Sequence, residues 1–214
     1  MELCNHCQDA GTVFNDKKAN KELKRYLKKG PPRSTRLLIE SLREENMQGK
    51  SLLDIGGGIG AIQHELSEDG LLSIYHVEAS QAYIKVSEAE AERRGYSDRL
   101  HSWHGDFVQL APQLPETDII TADRALCCYP YMEKFVKTCA LKSRRYCALV
   151  YPVESYFIAA GIVLANLYFK LSGNDFRLYL HSRNAINEIF KSEGFELHYT
   201  AKTLMWHVDI YASV

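Results

Sequence analysis

The sequence predicts an α/β fold: a doubly wound, seven-stranded sheet, mostly parallel, with an antiparallel C-terminal hairpin strand and helices ahead of it. Three observations predict it. Between residues 51 and 150, short apolar runs alternate strictly with helix-length stretches. Turn residues, mostly glycine, punctuate the junctions. Two further apolar runs close the chain so near each other that only a hairpin joins them. The 214 residues are 46% hydrophobic and 25% charged, which suits one domain with a sizeable core.

Residues 1–48 read as an N-terminal helical arm and 49–214 as the ligand-binding domain. The arm opens with Cys4-x-x-Cys7, a pair with no second ligand pair downstream, so no metal site is expected. Residues 15–30 look helical, with Leu23, Tyr26 and Leu27 as a narrow apolar stripe, and Gly30-Pro31-Pro32 stops them. Ser34 or Thr35 is suited to cap the next helix, which turns Leu37, Leu38 and Leu42 inward and ends at Gly49. Residues 17–36 carry nine Lys/Arg against Glu22 alone, a net of +8, leaving −9 elsewhere in a chain of net charge −1. Such an arm fits a solvated helix face, and also a phosphate, an anionic lipid or an acidic substrate.

The alternating part follows. A first strand at 51–55 leads into a helix from Ile59 to Asp69. Ile74–Glu78 is the second strand, and Ser80 caps a helix to Arg94, closed by Gly95. Leu100–His104 and Asp118–Ala122 are the third and fourth strands. A helix from Tyr131 to Leu141 leads to a fifth strand, Tyr146–Val150. After Pro152 come an apolar helix at Ser155–Leu171, a short extended piece at Phe176–Leu180 and a helix capped by Ser182. The strands Glu196–Lys202 and Met205–Tyr211 complete the sheet.

The first strand breaks into a glycine turn, Asp54-Ile55-Gly56-Gly57-Gly58-Ile59-Gly60-Ala61. Gly56-x-Gly58-x-x-Ala61 satisfies the dinucleotide fingerprint, which keeps an NAD(P)-dependent oxidoreductase open. Asp54, two residues before the first glycine, disfavours a pyrophosphate and suits a cationic ligand, by contact or by fixing the loop. Acidic residues then end successive strands: Glu78 the second, Asp106 just after the third, Asp123 the fourth. Singly, each has a structural explanation, as turn former, capping acid or N-cap. Together they mark the C-terminal ends of the strands, where open α/β sheets bind ligands.

Residues 50–213 resemble the class I S-adenosylmethionine-dependent methyltransferases, whose fold is Rossmann-like. The resemblance implies that the loop of Asp54, Gly56, Gly57, Gly58 and Gly60 holds the methionine part of S-adenosylmethionine. It implies that Glu78, beside Ala79, accepts the two ribose hydroxyls, and that Asp106 and Phe107 meet the adenine. Asp123 and Arg124 match the position facing the methionine moiety and the acceptor; separately, Tyr26 of the arm and Tyr129 offer π faces to the sulfonium. Arg25 or Arg33 is expected to meet the cofactor's carboxylate.

Asp123-Arg124-Ala125-Leu126-Cys127-Cys128-Tyr129-Pro130 looks like a subgroup whose fourth strand ends D-R-V-x-C-C-Y-P. It is distantly similar to magnesium-protoporphyrin O-methyltransferases. Those have H-Y-P where this chain has Cys128-Tyr129-Pro130, so the porphyrin substrate does not carry over. Asp123, Cys128 and Tyr129 are the candidate catalytic groups, with His181 and His207 as outer candidates. The expected acceptor is a small molecule, and the apolar run at 155–171 fits a lipophilic pocket, a membrane-facing surface or a dimer contact, and equally an ordinary buried helix. Nucleic acid is disfavoured, since no N/D-P-P-Y/F tetrad or appended module is present. The polar N-terminus and the 14-residue limit of the longest apolar stretch predict a cytoplasmic protein without a stable membrane span. A non-catalytic cofactor-binding protein of the same fold is the third reading.

Overall fold

The computed structural model describes residues 5–214. Three helices come first: α1 (Asn5–Val13), α2 (Asp16–Lys29) and α3 (Arg33–Arg43). The alternating part comprises β1 (Ser51–Ile55), α4 (Ala61–Leu66), β2 (Ser73–Glu78), α5 (Gln81–Arg94), β3 (Leu100–His104), α6 (Phe107–Leu110), β4 (Thr117–Asp123), α7 (Met132–Lys142) and β5 (Ser143–Pro152). Then come α8 (Tyr156–Leu171), α9 (Arg183–Ser192), β6 (Phe195–Lys202) and β7 (Trp206–Ser213).

The strands form one seven-stranded sheet in the order β3-β2-β1-β4-β5-β7-β6. β7 runs antiparallel to both its neighbours; the remaining pairs are parallel. Two-residue periodicity sends neighbouring side chains to opposite faces. Leu52, Ile119, Ala148 and Val150 pack on one face with Leu38 and Leu42 of α3 and with Ile62 and Leu66 of α4. Leu53, Ile120, Leu149 and Tyr151 pack on the other with Phe135 and Val136 of α7 and with Ile186 and Phe190 of α9. Leu52 and Leu53 are both fully buried, so truncating either to alanine costs about 2–5 kcal/mol. A third cluster joins Ala19 and Tyr26 of α2 to Ile59 and Tyr83, laying the basic helix over the glycine turn and α5.

Strand order reverses between β1 and β4, which opens a crevice at the C-terminal ends of the strands. Local chemistry sets the edges of that crevice. Asn15 caps α2 by accepting from the Lys18 amide at 3.2 Å, and Gly30 (φ 69°) ends it. Ser80 caps α5 as expected.

Several expectations need correction. α3 has no side-chain cap: Ser34 and Thr35 lie inside its first turn, both buried, and Thr35 bonds to Asp123 instead. α3 stops at Arg43, well before Gly49. β5 begins at Ser143, since pairing with Thr117 of β4 extends it ahead of its apolar run, and pairing with β7 carries it on to Pro152. Residues 176–180 join no strand; the Leu178 amide donates to Asn166 Oδ1 and the Tyr179 amide to the Cys127 carbonyl. Ser182 makes no capping bond, and Glu154 accepts from the Arg183 amide in its place. The Cys4-x-x-Cys7 pair falls outside the described side chains.

Candidate cofactor and acceptor site

The crevice contains a cavity of about 430 Å³, within the range of drug-sized ligand pockets. Its floor is the glycine turn, with Gly56, Gly57 and Gly58 on the wall. Gly56 needs its lack of a side chain twice over. Its φ is 60°, and a Cβ there would lie 2.7 Å from Ala125 Cβ.

Asp54 does not line this cavity. It sits behind the wall, fully buried, accepting from Thr121 Oγ1 at 2.7 Å and from Gln63 Nε2 at 3.0 Å. A side chain on Gly57 would strike its carboxylate. Of the two roles expected for Asp54, contact with a ligand or fixing the loop, this position behind the wall favours the second. Burial pushes its carboxyl up to about 7, against the hydrogen bonds from Thr121 and Gln63. Gly60 also stands behind the wall, capping α4 with φ 81°.

Glu78 ends β2 on the wall. Its Oε2 accepts from the Gly58 amide at 3.0 Å and its Oε1 from the Ser80 amide at 2.8 Å. One carboxylate thus ties the glycine turn to the start of α5. Burial raises its pKa and these amides oppose the rise. The carboxylate keeps acceptor capacity for a ligand, and Ala79, whose amide also opposes the rise, lines the wall beside it.

Asp106 is the N-cap of α6, accepting from the Val108 amide at 2.7 Å and the Gln109 amide at 3.3 Å. The Tyr129 hydroxyl donates to the same carboxylate at 3.2 Å. Phe107 is both core and wall: it is buried edge-on against Phe135 at 5.4 Å and lines the cavity.

At the end of β4, Asp123 accepts from Thr35 Oγ1 at 2.6 Å and from Arg124 Nε at 3.0 Å. Arg124 is the one non-glycine residue with positive φ (59°) among the described residues. That turn folds its guanidinium back over the preceding carboxylate and sets it 5.9 Å from the Trp206 ring. Cys127, Cys128 and Tyr129 follow on the same wall. Hydrogen bonding with Cys127 and burial hold the Cys128 thiol well above its ordinary pKa, so it is protonated at neutral pH and poorly suited as a base. Tyr129 directs its hydroxyl to Asp106.

The arm roofs the cavity with Phe14, Glu22, Arg25, Tyr26 and Pro32. The Tyr26 hydroxyl donates to Glu65 Oε1 at 2.8 Å and accepts from Arg94 Nη2 at 3.1 Å, while burial raises its pKa. Arg25 is on the wall and Arg33 is not. His181 and His207 also stand off the cavity: His181 Nε2 meets the carbonyls of Leu126 and Tyr129, and His207 packs beside the Tyr151 ring. Sequence reasoning missed Tyr83, Leu178 and Trp206 on the wall and Thr35, Gln63 and Thr121 behind it. Only Tyr83 had a usable signal, lying in the first turn of α5 directly after the strand that Glu78 ends.

Residues 53–144 match the family model of a methyltransferase domain. No curated protein matches the sequence. Among solved structures, the magnesium protoporphyrin IX methyltransferase of Synechocystis PCC 6803 with bound SAH is similar at 16% identity and a TM-score of 0.73, with 96% of this chain and 98% of that one covered. The [4+2]-cyclase SpnF is similar at 15% identity and a TM-score of 0.69, with 100% and 98% covered. An O-methyltransferase family protein from Burkholderia thailandensis is similar at 9% identity and a TM-score of 0.68, with 92% and 59% covered. At these identities the likeness is one of fold.

Proposed function

We propose that the chain is an S-adenosylmethionine-dependent methyltransferase acting on a small, lipophilic acceptor. One observation carries the reading: the glycine turn, Glu78 and the Asp106–Phe107 pair, far apart in sequence, wall a single cavity. Their chemistry fits the donor. Glu78 offers lone pairs to two hydroxyls, Asp106 an acceptor to an amine, and Phe107 an apolar surface to an adenine. Arg25 on the roof offers a guanidinium to a carboxylate. The methyltransferase-domain match over residues 53–144 supports the same reading, as does the fold shared with a methyltransferase holding SAH. Neither supports the oxidoreductase alternative.

S-adenosylmethionine supplies an electrophilic methyl group on a positively charged sulfur. The chain's own task is to align an acceptor, exclude water and, where the acceptor carries a proton, receive it. Asp123 is the carboxylate at the acceptor end, oriented by Thr35 and Arg124. It is our candidate base, in preference to Cys128 and Tyr129. Leu178 and Trp206 give that end an apolar wall.

A fold that also serves a protein named as a cyclase does not by itself imply methyl transfer. Labelled S-adenosylmethionine, incubated with the protein and separate lipid and aqueous cell extracts, tests the step. Label entering a species of the lipid extract, and lost with Asp123→Asn, is the expected result. Binding of the donor with no transfer to either extract would favour a non-catalytic protein.

A further inference from the structure

α8 presents an apolar face that nothing in the chain covers. The helix has no buried residue, and its sole charge is Lys170. Its half-buried positions, Ile158, Ala159, Ile162, Ala165, Asn166 and Phe169, repeat at helical spacing and mark the side turned to the body. The opposite side is equally apolar: Tyr156 is 95% exposed and Phe157 91%, and Leu164, Tyr168 and Leu171 continue the stripe. The β6–β7 turn extends it. Met205 accepts from the Val153 amide at 2.9 Å, which brings the turn beside the start of α8, and Leu204 there is 92% exposed.

Lysines lie near both ends of this face, alongside the exposed acids Glu154 and Asp175. At the far end of α8, Phe169 packs on Phe176 at 5.2 Å, and Phe176 on Phe14 at 5.8 Å. Phe14 immediately precedes α2, and Lys18 Nζ lies 4.0 Å from its ring centre. The +8 segment therefore begins near the C-terminal end of α8, reached through the side of the helix turned to the body. Lys170 and Lys202 are exposed on α8 and β6.

We infer that α8 and the β6–β7 turn seat on an anionic lipid surface, with the lysines of α2 held against its headgroups. Charge complementarity selects this occupant. Exposed aromatic and aliphatic side chains beside a lysine-rich helix combine the two terms that drive interfacial binding, apolar burial and attraction to anionic lipid. Tyrosines at the margin suit the boundary between acyl chains and headgroups. A second copy docked on the same face would bring two sets of cations together. No described helix is long and apolar enough to cross a membrane, so the contact is a surface one. Leu178, which accepts from Asn166 Nδ2 of α8 at 2.9 Å, also lines the cavity. The lipid-facing helix thus adjoins the acceptor wall. The lipid contact itself does not depend on the methyl-transfer reading.

Co-sedimentation of the full chain with phosphatidylcholine vesicles, and with vesicles containing phosphatidylglycerol, tests the inference. Binding is expected to the phosphatidylglycerol vesicles and to fall steeply as salt is raised. The exposed-site variant Phe157→Asp/Leu164→Asp should bind about tenfold or more weakly while melting at the wild-type temperature. Lys17→Gln/Lys21→Gln/Lys24→Gln should bind phosphatidylglycerol vesicles more weakly and lose the salt dependence. Absence of binding to phosphatidylglycerol vesicles would overturn the inference, as would binding unchanged in the Phe157/Leu164 variant. So would a wild-type dimer, seen by sedimentation velocity without lipid, that this variant converts to monomer while vesicles stay unbound.

Discussion

Thr35 donates a 2.6 Å hydrogen bond to Asp123 Oδ2, joining the first turn of α3 to the acid at the end of β4. Thr35 is fully buried. The bond to a carboxylate therefore runs through protein and not through water, where it is worth more than an exposed one. It makes the N-terminal helices part of the site's framework. Replacing Thr35 by valine keeps the shape and removes the donor. We expect Thr35→Val to lose about 1.5–3 kcal/mol of stability, read as a lower urea midpoint with an unchanged slope. Thr35→Ser should retain most of it.

Asp54 makes stability depend on pH in an unusual direction. Folded, its carboxyl holds a proton up to about pH 7; its ordinary pKa is 3.8. Between those values the unfolded chain releases a proton that the folded one keeps. Rising pH therefore favours unfolding, by at most about 1.4 kcal/mol per pH unit, and the effect levels off above 7. Asp54→Asn removes this contribution. Relative to wild type, its unfolding free energy should climb as pH goes from 4 to 7. A difference that stays constant across urea titrations at four pH values would mean Asp54 is ionised throughout.

Arg124 combines an ion pair with a left-handed backbone. Arg124→Ala and Arg124→Gly both remove the guanidinium from Asp123, and only glycine suits a φ of 59° without a side-chain clash. The glycine variant should be the more stable of the two by about 1 kcal/mol, measured as a higher melting temperature. Equal melting temperatures would show that the φ carries no strain.

The central parallel strands were legible because they are largely apolar runs buried on both faces and bounded by turn residues, as at Leu52–Ile55 and Ile119–Ala122. The cavity-wall acids Glu78, Asp106 and Asp123 were legible because strand ends are. What stood behind them was not. Gln63 and Thr121 approach Asp54 from another helix and another strand, and Thr35 reaches Asp123 across 88 positions. No local pattern encodes such pairings. The four-residue α6 escaped for the opposite reason, being too short to show a period. Ser34 and Thr35 misled because a capping residue and a buried hydroxyl donor have the same side chain.

Isothermal titration of the full chain with S-adenosylhomocysteine, and separately with NADH, tests most directly what the cavity holds. The prediction is saturable one-site binding of S-adenosylhomocysteine, weakened about tenfold or more in Glu78→Gln, where an amide replaces a charged acceptor. No binding of NADH is predicted. Binding of NADH in place of S-adenosylhomocysteine, or an affinity for S-adenosylhomocysteine untouched by Glu78→Gln, would contradict it.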